Sequence, residues 1–102
     1  MIINGKAITL NDDYHFSNLT KKEQDTVCGW ILANLIPRKT PLHGRTSYGI
    51  KHILESDTGI YTTNNQFKGA MLQCGFEPVN AYELNWCYCI SKKSAAFKNK
   101  NI

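Results

Sequence analysis

Phe67, Ala70, Met71 and Cys74 recur at i, i+3, i+4 and i+7, a spacing that lines one stripe of an α-helix and requires that stripe to be buried. Thr63 followed by Gln66 has the form of a capping box: the Thr hydroxyl accepts from an amide of the first turn, and the Gln side chain returns the bond. The helix therefore starts at Asn64. Gly75 suits the left-handed position that ends a helix and Phe76 can fold back on the last turn, so the helix stops near Cys74. Upstream, Ile50, Ile53 and Leu54 form a shorter stripe, with Ser47 as the expected cap and Gly59 as the stop. The pattern predicts helices over Ser47–Asp57 and Asn64–Cys74 joined by a short turn.

The rest of the chain reads around this pair. In MIINGKAITL the Asn4-Gly5 dipeptide predicts a small N-terminal hairpin, because both residues tolerate positive φ. Asn11 to Asn18 reads as a loop pinned by Tyr14 and Phe16. Thr20 and Glu23 make a second capping box, opening a helix over Thr20–Ile36. That helix carries Val27, Ile31 and Leu35 on one side, Cys28 and Leu32 beside them and Trp30 at the edge. It is the expected central core element, and Pro37 ends it. PRKTPLHGR, residues 37–45, has two prolines, a glycine and three basic residues and reads as an exposed basic loop. Asn85 to Ile90 alternates Trp86, Tyr88 and Ile90 on one face with Cys87 and Cys89 on the other, a strand. With Val79 and a turn over Asn80 to Glu83 it forms a second hairpin. Ser91 to Ile102 has four lysines and no acid and reads as a mobile tail.

The run GIYTTNNQFKGAMLQCGFEP, with its short turn, Thr63-Asn64 cap, Phe67, Ala70 and Gly75-Phe76 stop, resembles the second half of a winged helix-turn-helix. It is similar to the C-terminal winged domain of phage and plasmid primase-helicases and to small proteins of phages and mobile elements. The resemblance covers about a third of the chain and is built from common elements. It implies an α+β fold, a small three-helix winged domain over residues 1–91 with an N-terminal hairpin, a C-terminal β-hairpin as the wing and a basic tail over 92–102.

At 102 residues the chain holds one domain, and its 42% apolar and 20% charged content is ordinary for a globular protein. No apolar run approaches the roughly 20 residues that span a bilayer. Nor does the N-terminus have the basic, apolar and small-residue series of a secretory signal. The expectation is a soluble protein of the bacterial cytoplasm with reduced cysteines. The net charge is +4, and Lys92, Lys93, Lys98 and Lys100 match that excess by themselves. In the body, Arg38, Lys39, Arg45 and Lys51 cluster without an acid between them, whereas from 52 to 90 Lys68 stands against Glu55, Asp57, Glu77 and Glu83. Positive charge is thus confined to one loop and the tail, which is sparse for a winged helix that holds DNA unaided.

Asn64, Asn65, Gln66, Lys68 and Gln73 form the polar face of the second helix of the pair. Amides can bond both N6 and N7 of adenine in the major groove, so Asn64, Asn65, Gln66 and Gln73 are the candidate base contacts, and Lys68, Arg38, Lys39 and Arg45 the candidate phosphate contacts. Gly69 in mid-helix costs roughly 1 kcal/mol relative to Ala, which a close approach by another group would explain. Cys87-Tyr88-Cys89 lacks the two-residue spacing of a structural zinc site, and Cys28 and Cys74 lie in apolar stripes. No nucleophile–His–acid motif or phosphate-binding glycine loop is present, so neither catalytic residues nor a metal or other cofactor are expected. Two functions remain. One is double-stranded DNA binding by a phage or mobile-element winged helix. The other is a protein-interaction module that inhibits a host nucleic-acid enzyme, of the anti-CRISPR type, with Tyr82, Trp86 and Tyr88 as interface anchors.

Overall fold

Thr20 caps the longest helix as its sequence demands: its hydroxyl accepts from the Glu23 amide and its own amide donates to the Glu23 carboxylate. In a computed structural model of the chain, which describes residues 1–9 and 13–98, this helix, α1, runs over Lys21–Asn34. Val27 and Ile31 are fully buried on its inner side, and the Trp30 indole nitrogen donates to the Asp57 carboxylate at 2.9 Å, tying α1 to the next helix. That helix, α2, spans Ser47–Thr58 and ends at Gly59 with φ 76°. The third, α3, spans Asn64–Gln73 behind a complete Thr63/Gln66 capping box. It closes with Gly75 at φ 90° and the Phe76 amide donating to the Met71 carbonyl, the bond pattern of a glycine-terminated helix. All three helices lie within a residue or two of where capping and apolar spacing put them.

The strands form two small antiparallel sheets, so the chain is an α+β domain. β1 (Ile2–Ile3) and β2 (Lys6–Ala7) are the N-terminal hairpin, turned at Asn4 (φ 53°) and Gly5 (φ 80°). β3 (Pro37–Thr46) pairs with β4 (Cys87–Ile90). The stretch read as an irregular basic loop is thus a strand, though a heavily bulged one. Register passes from Pro37 opposite Ile90 to Leu42 opposite Tyr88 and then Thr46 opposite Cys87, so β3 spends many more residues than β4 on the same ladder. Its two prolines fit because β4 is its sole ladder partner, leaving the other edge free of any need for an amide. Arg38 supports the bulge with its own fork, donating to the carbonyls of Thr40 at 2.8 Å and Pro41 at 2.7 Å. The expected hairpin from Val79 shrinks to one isolated bridge, Pro78 to Tyr88, with the Val79 amide on the Cys87 carbonyl.

The segment expected as a mobile tail is docked through residue 98. Ser91 donates its amide to the Ile36 carbonyl at 2.7 Å, the Ile36 amide returns a bond to the buried Ser94 hydroxyl, and Ala96 is buried in a short 3-10 turn over Ala95–Phe97. Its last residues, including Lys100, lie outside the described residues. So do Leu10, the last residue of the hairpin stretch, and Asn11 and Asp12, the first of the loop expected over Asn11 to Asn18.

α3 sits at the centre. It packs against α1, α2 and a 3-10 turn over Phe16–Asn18, and every residue from Phe67 to Leu72 is buried. A Cβ at Gly69 would meet the Cβ atoms of Tyr14 at 3.2 Å and Phe16 at 3.3 Å. The glycine that looked costly in mid-helix is where the N-terminal segment lies against the helix backbone. Beside it, Trp86 stacks edge-on with Tyr14 and Tyr88 at ring separations of 5.5 and 6.4 Å, and all three rings are buried. No helix among the described residues is long and apolar enough to cross a membrane.

Candidate nucleic-acid interface

The amide face expected to read bases is mostly committed to holding the fold. Asn64 is a node: its side-chain oxygen accepts from the Ser47 hydroxyl at 2.9 Å, and its nitrogen donates to the Leu84 carbonyl at 3.2 Å and the Asn85 side chain at 3.0 Å. Gln66 is occupied by the capping box. Lys68, expected on phosphates, is only 4% exposed, with its ammonium 4.7 Å from the centre of the Trp86 ring. Its burial, and then the like charge of Lys6, pushes its pKa below the usual lysine range. Asn65 and Gln73 remain exposed. Of the four amides expected to read bases, these two are the exposed ones, and Tyr14 and Phe16 lie against the helix at Gly69, between them in sequence.

Ser47, expected to cap α2, points inward instead. Thr46 occupies the cap position without a side-chain bond, while the buried Ser47 hydroxyl accepts from the Trp86 amide at 3.0 Å and donates to Asn64. Trp86 and Tyr88, expected as interface anchors, are fully buried core residues and present no surface to a partner. Tyr82 is 62% exposed and keeps that possibility, with Lys6 lying over its ring at 5.6 Å.

The basic residues are assembled differently. Arg38 is spent inside the β3 bulge, Lys39 is exposed beside it, and Arg45 lies over the Phe97 ring at 4.7 Å. Because Pro37 pairs with Ile90, and Ser91 and Ser94 clamp Ile36, the exposed Lys92 and Lys93 leave the sheet next to the start of β3. The Arg45–Phe97 contact brings exposed Lys98 to its other end. Two basic stretches half a chain apart in sequence therefore share one structural region. Among the described residues the one ion pair is Lys21 with Asp25, so none of these cations is neutralised by a salt bridge within that set. The pairing of β3 with the C-terminal segment is long-range, and no local signal in the sequence announces it.

A second cationic feature went unread. Lys51 is buried between two exposed rings, 5.3 Å from the centre of Tyr48 and 4.9 Å from that of Tyr61, with His52 edge-on to Tyr48 at 4.6 Å. Its i, i+3 relation to Tyr48 was visible in the sequence, whereas Tyr61 arrives only through the turn after α2. Among the thiols, burial and then its contact with Cys28 push Cys74 up to about 12, and its Sγ lies 3.8 Å from the Cys28 carbonyl. Cys74 is thereby a protonated packing group rather than a nucleophile. Among the described residues no three His, Cys, Asp or Glu side chains converge as a metal site would require. Comparison with protein families, curated proteins and solved structures finds no match.

Proposed function

We propose that the chain binds double-stranded DNA through its phosphates, using the face where β3 meets the C-terminal segment, with Lys39, Arg45, Lys92, Lys93 and Lys98 as the contacting cations. The observation that carries this reading is the clamp of Ile36 by Ser91 and Ser94 together with Arg45 on Phe97, which unites two basic stretches with no salt bridge to an acid among the described residues. The order of elements supports a winged-helix reading too. β3 lies between α1 and α2, and its partner β4 follows α3, as the first strand and the wing do in the fold that the sequence resembles. With α3 covered and Asn64, Gln66 and Lys68 engaged, binding is by charge and not by base sequence.

Anisotropy titrations with mixed-sequence duplex DNA test it. Five neutralised phosphates give a slope of about −4.5 in log K against log salt, a loss of roughly 500-fold between 50 and 200 mM. Replacing the five cations by alanine should abolish that slope, while Asn65→Ala and Gln73→Ala should leave affinity unchanged for every sequence. Absence of binding at 50 mM salt, or binding that survives the quintuple variant, would overturn the reading. The alternative, an interaction module that occupies a host nucleic-acid enzyme, draws its support from the loop carrying Tyr82 and Leu84, 62% and 78% exposed. It predicts that Tyr82→Ala and Leu84→Ala, and not the lysine changes, disrupt capture of the partner.

A further inference from the structure

A cavity of about 390 Å³ opens between the N-terminal hairpin, α3 and the loop before β4. Its inner wall is made of buried residues: Ile8, Tyr14 and the Lys68 side chain. Lys68 is 96% removed from solvent, yet its ammonium makes no hydrogen bond or ion pair among the described residues; the face of Trp86 is its one interaction there. The ammonium itself is not sealed off: Lys68 lines the cavity, so its three donors are left to whatever occupies that space. Lys6, at the cavity's side, is no partner for them. Lys6 donates to the Ala81 carbonyl at 3.4 Å, lies over Tyr82, and sets a second positive charge near the first.

The mouth has the opposite character. Asp13 and Glu83 are exposed there, with Asn65 and Leu84. Asp13 accepts from the Thr9 amide at 2.6 Å, and neither carboxylate comes within ion-pair distance of Lys6 or Lys68. The interior is therefore cationic and partly apolar, while the rim is anionic.

We propose that this cavity binds a small organic monocarboxylate, its carboxylate on the Lys68 and Lys6 ammoniums and its apolar body against Ile8, Tyr14 and Leu84. A volume of this size accommodates a small molecule, and a wall shared about equally between apolar and polar groups suits one with a charged head and a short apolar body. One negative charge beside two lysines gives the Lys68 donors a partner and separates like charges. A second negative charge would face Asp13 and Glu83 at the mouth, so a monoanion suits the site better than a phosphate dianion. Asn65, free on the first turn of α3, can donate to the carboxylate's outer oxygen.

Calorimetric titration of the full chain with benzoate, its neutral isostere benzamide and inorganic phosphate tests the assignment. Benzoate should bind saturably, and benzamide and phosphate each roughly tenfold more weakly or not at all. Lys68→Met, which keeps the length of the side chain and removes the charge, should weaken benzoate by roughly tenfold or more, and Lys6→Met should act in the same direction. Equal binding of benzoate and benzamide would reduce the cavity to an apolar pocket and overturn the proposal. Phosphate binding more tightly than benzoate would overturn it as well, as would benzoate affinity unchanged in a folded Lys68→Met or Lys6→Met. The three-ligand comparison on the unmodified chain decides the matter even where a substitution prevents folding.

Discussion

Ser47→Ala should destabilise the protein far more than a serine at a helix start ordinarily does. Its hydroxyl accepts from the Trp86 amide at 3.0 Å and donates to Asn64 at 2.9 Å, and both Ser47 and Trp86 are fully buried. Without that oxygen the Trp86 amide has no partner and no water within reach, a loss of about 1–3 kcal/mol. The Asn64 bond adds roughly 0.5–1 kcal/mol, since its partly buried amide can turn in part to solvent. The backbone bond from the Ser47 amide to the Trp86 carbonyl at 2.7 Å survives the change. The expected total is about 1.5–4 kcal/mol, seen as a lower urea midpoint at unchanged slope and a melting temperature lower by roughly 4–8 °C per kcal/mol. Asn64→Ala should also destabilise, by about 1–2 kcal/mol through its three side-chain bonds. In the double variant the two losses should overlap by roughly 0.5–1.5 kcal/mol, because they share the Ser47–Asn64 bond. A Ser47→Ala loss below about 0.5 kcal/mol, with strict additivity, would refute the idea that this node joins α2, α3 and β4.

Two further outcomes follow from packing and titration. Gly69→Ala should bring none of the roughly 1 kcal/mol of helix propensity that alanine normally adds, because its Cβ would press on Tyr14 and Phe16 at 3.2 and 3.3 Å, whereas Gly29→Ala, with open space around it in α1, should gain that amount in urea melts. Cys74, pushed up to about 12 when folded, loses its proton near 9.0 when unfolded, so its contribution to stability is whole below pH 9 and declines from there toward pH 12; the urea midpoint of the unmodified chain should therefore fall more steeply between pH 8.5 and 10.5 than that of Cys74→Ala.

What the sequence revealed was local. Each capping box needs only residues three apart, and Gly59 and Gly75 act on the turns they end, so helix limits were legible to within a residue or two. β3 was hidden because Pro37, Pro41 and Gly44 argue against a strand unless its partner is known, and the partner begins 41 residues beyond its end. The alternation of Trp86, Tyr88 and Ile90 announced a strand, but with Cys87 and Cys89 on the other face the pattern could not say which side met the core. Asn64 and Lys68 misled for a different reason. An amide that reads a base and one that ties a helix to a loop are the same side chain, and only the position of Leu84, Asn85 and Ser47 tells them apart.

Gly69 was the one local sign that α3 was not a free reading helix, and it bears on both proposals. A helix that enters a major groove needs one side open along its length, whereas Tyr14 and Phe16 lie against α3 at the glycine, and the N-terminal hairpin is held to the loop before β4 by Asn4 on the Ala81 amide at 3.0 Å and Lys6 on the Ala81 carbonyl. The residues before α1 therefore close the groove face of α3 and, in closing it, create a wall. Lys68 and Asn65, expected to meet a phosphate and a base edge on an open helix, line a half-open cavity instead, and the β3–β4 sheet gathers exposed cations on β3 and the C-terminal segment. A variant lacking residues 1–18 would test whether the covering is what separates the two surfaces. If it is, the variant should gain duplex affinity that depends on Lys68 and lose benzoate binding together; retention of benzoate binding would show that the hairpin and Tyr14 are not part of the site.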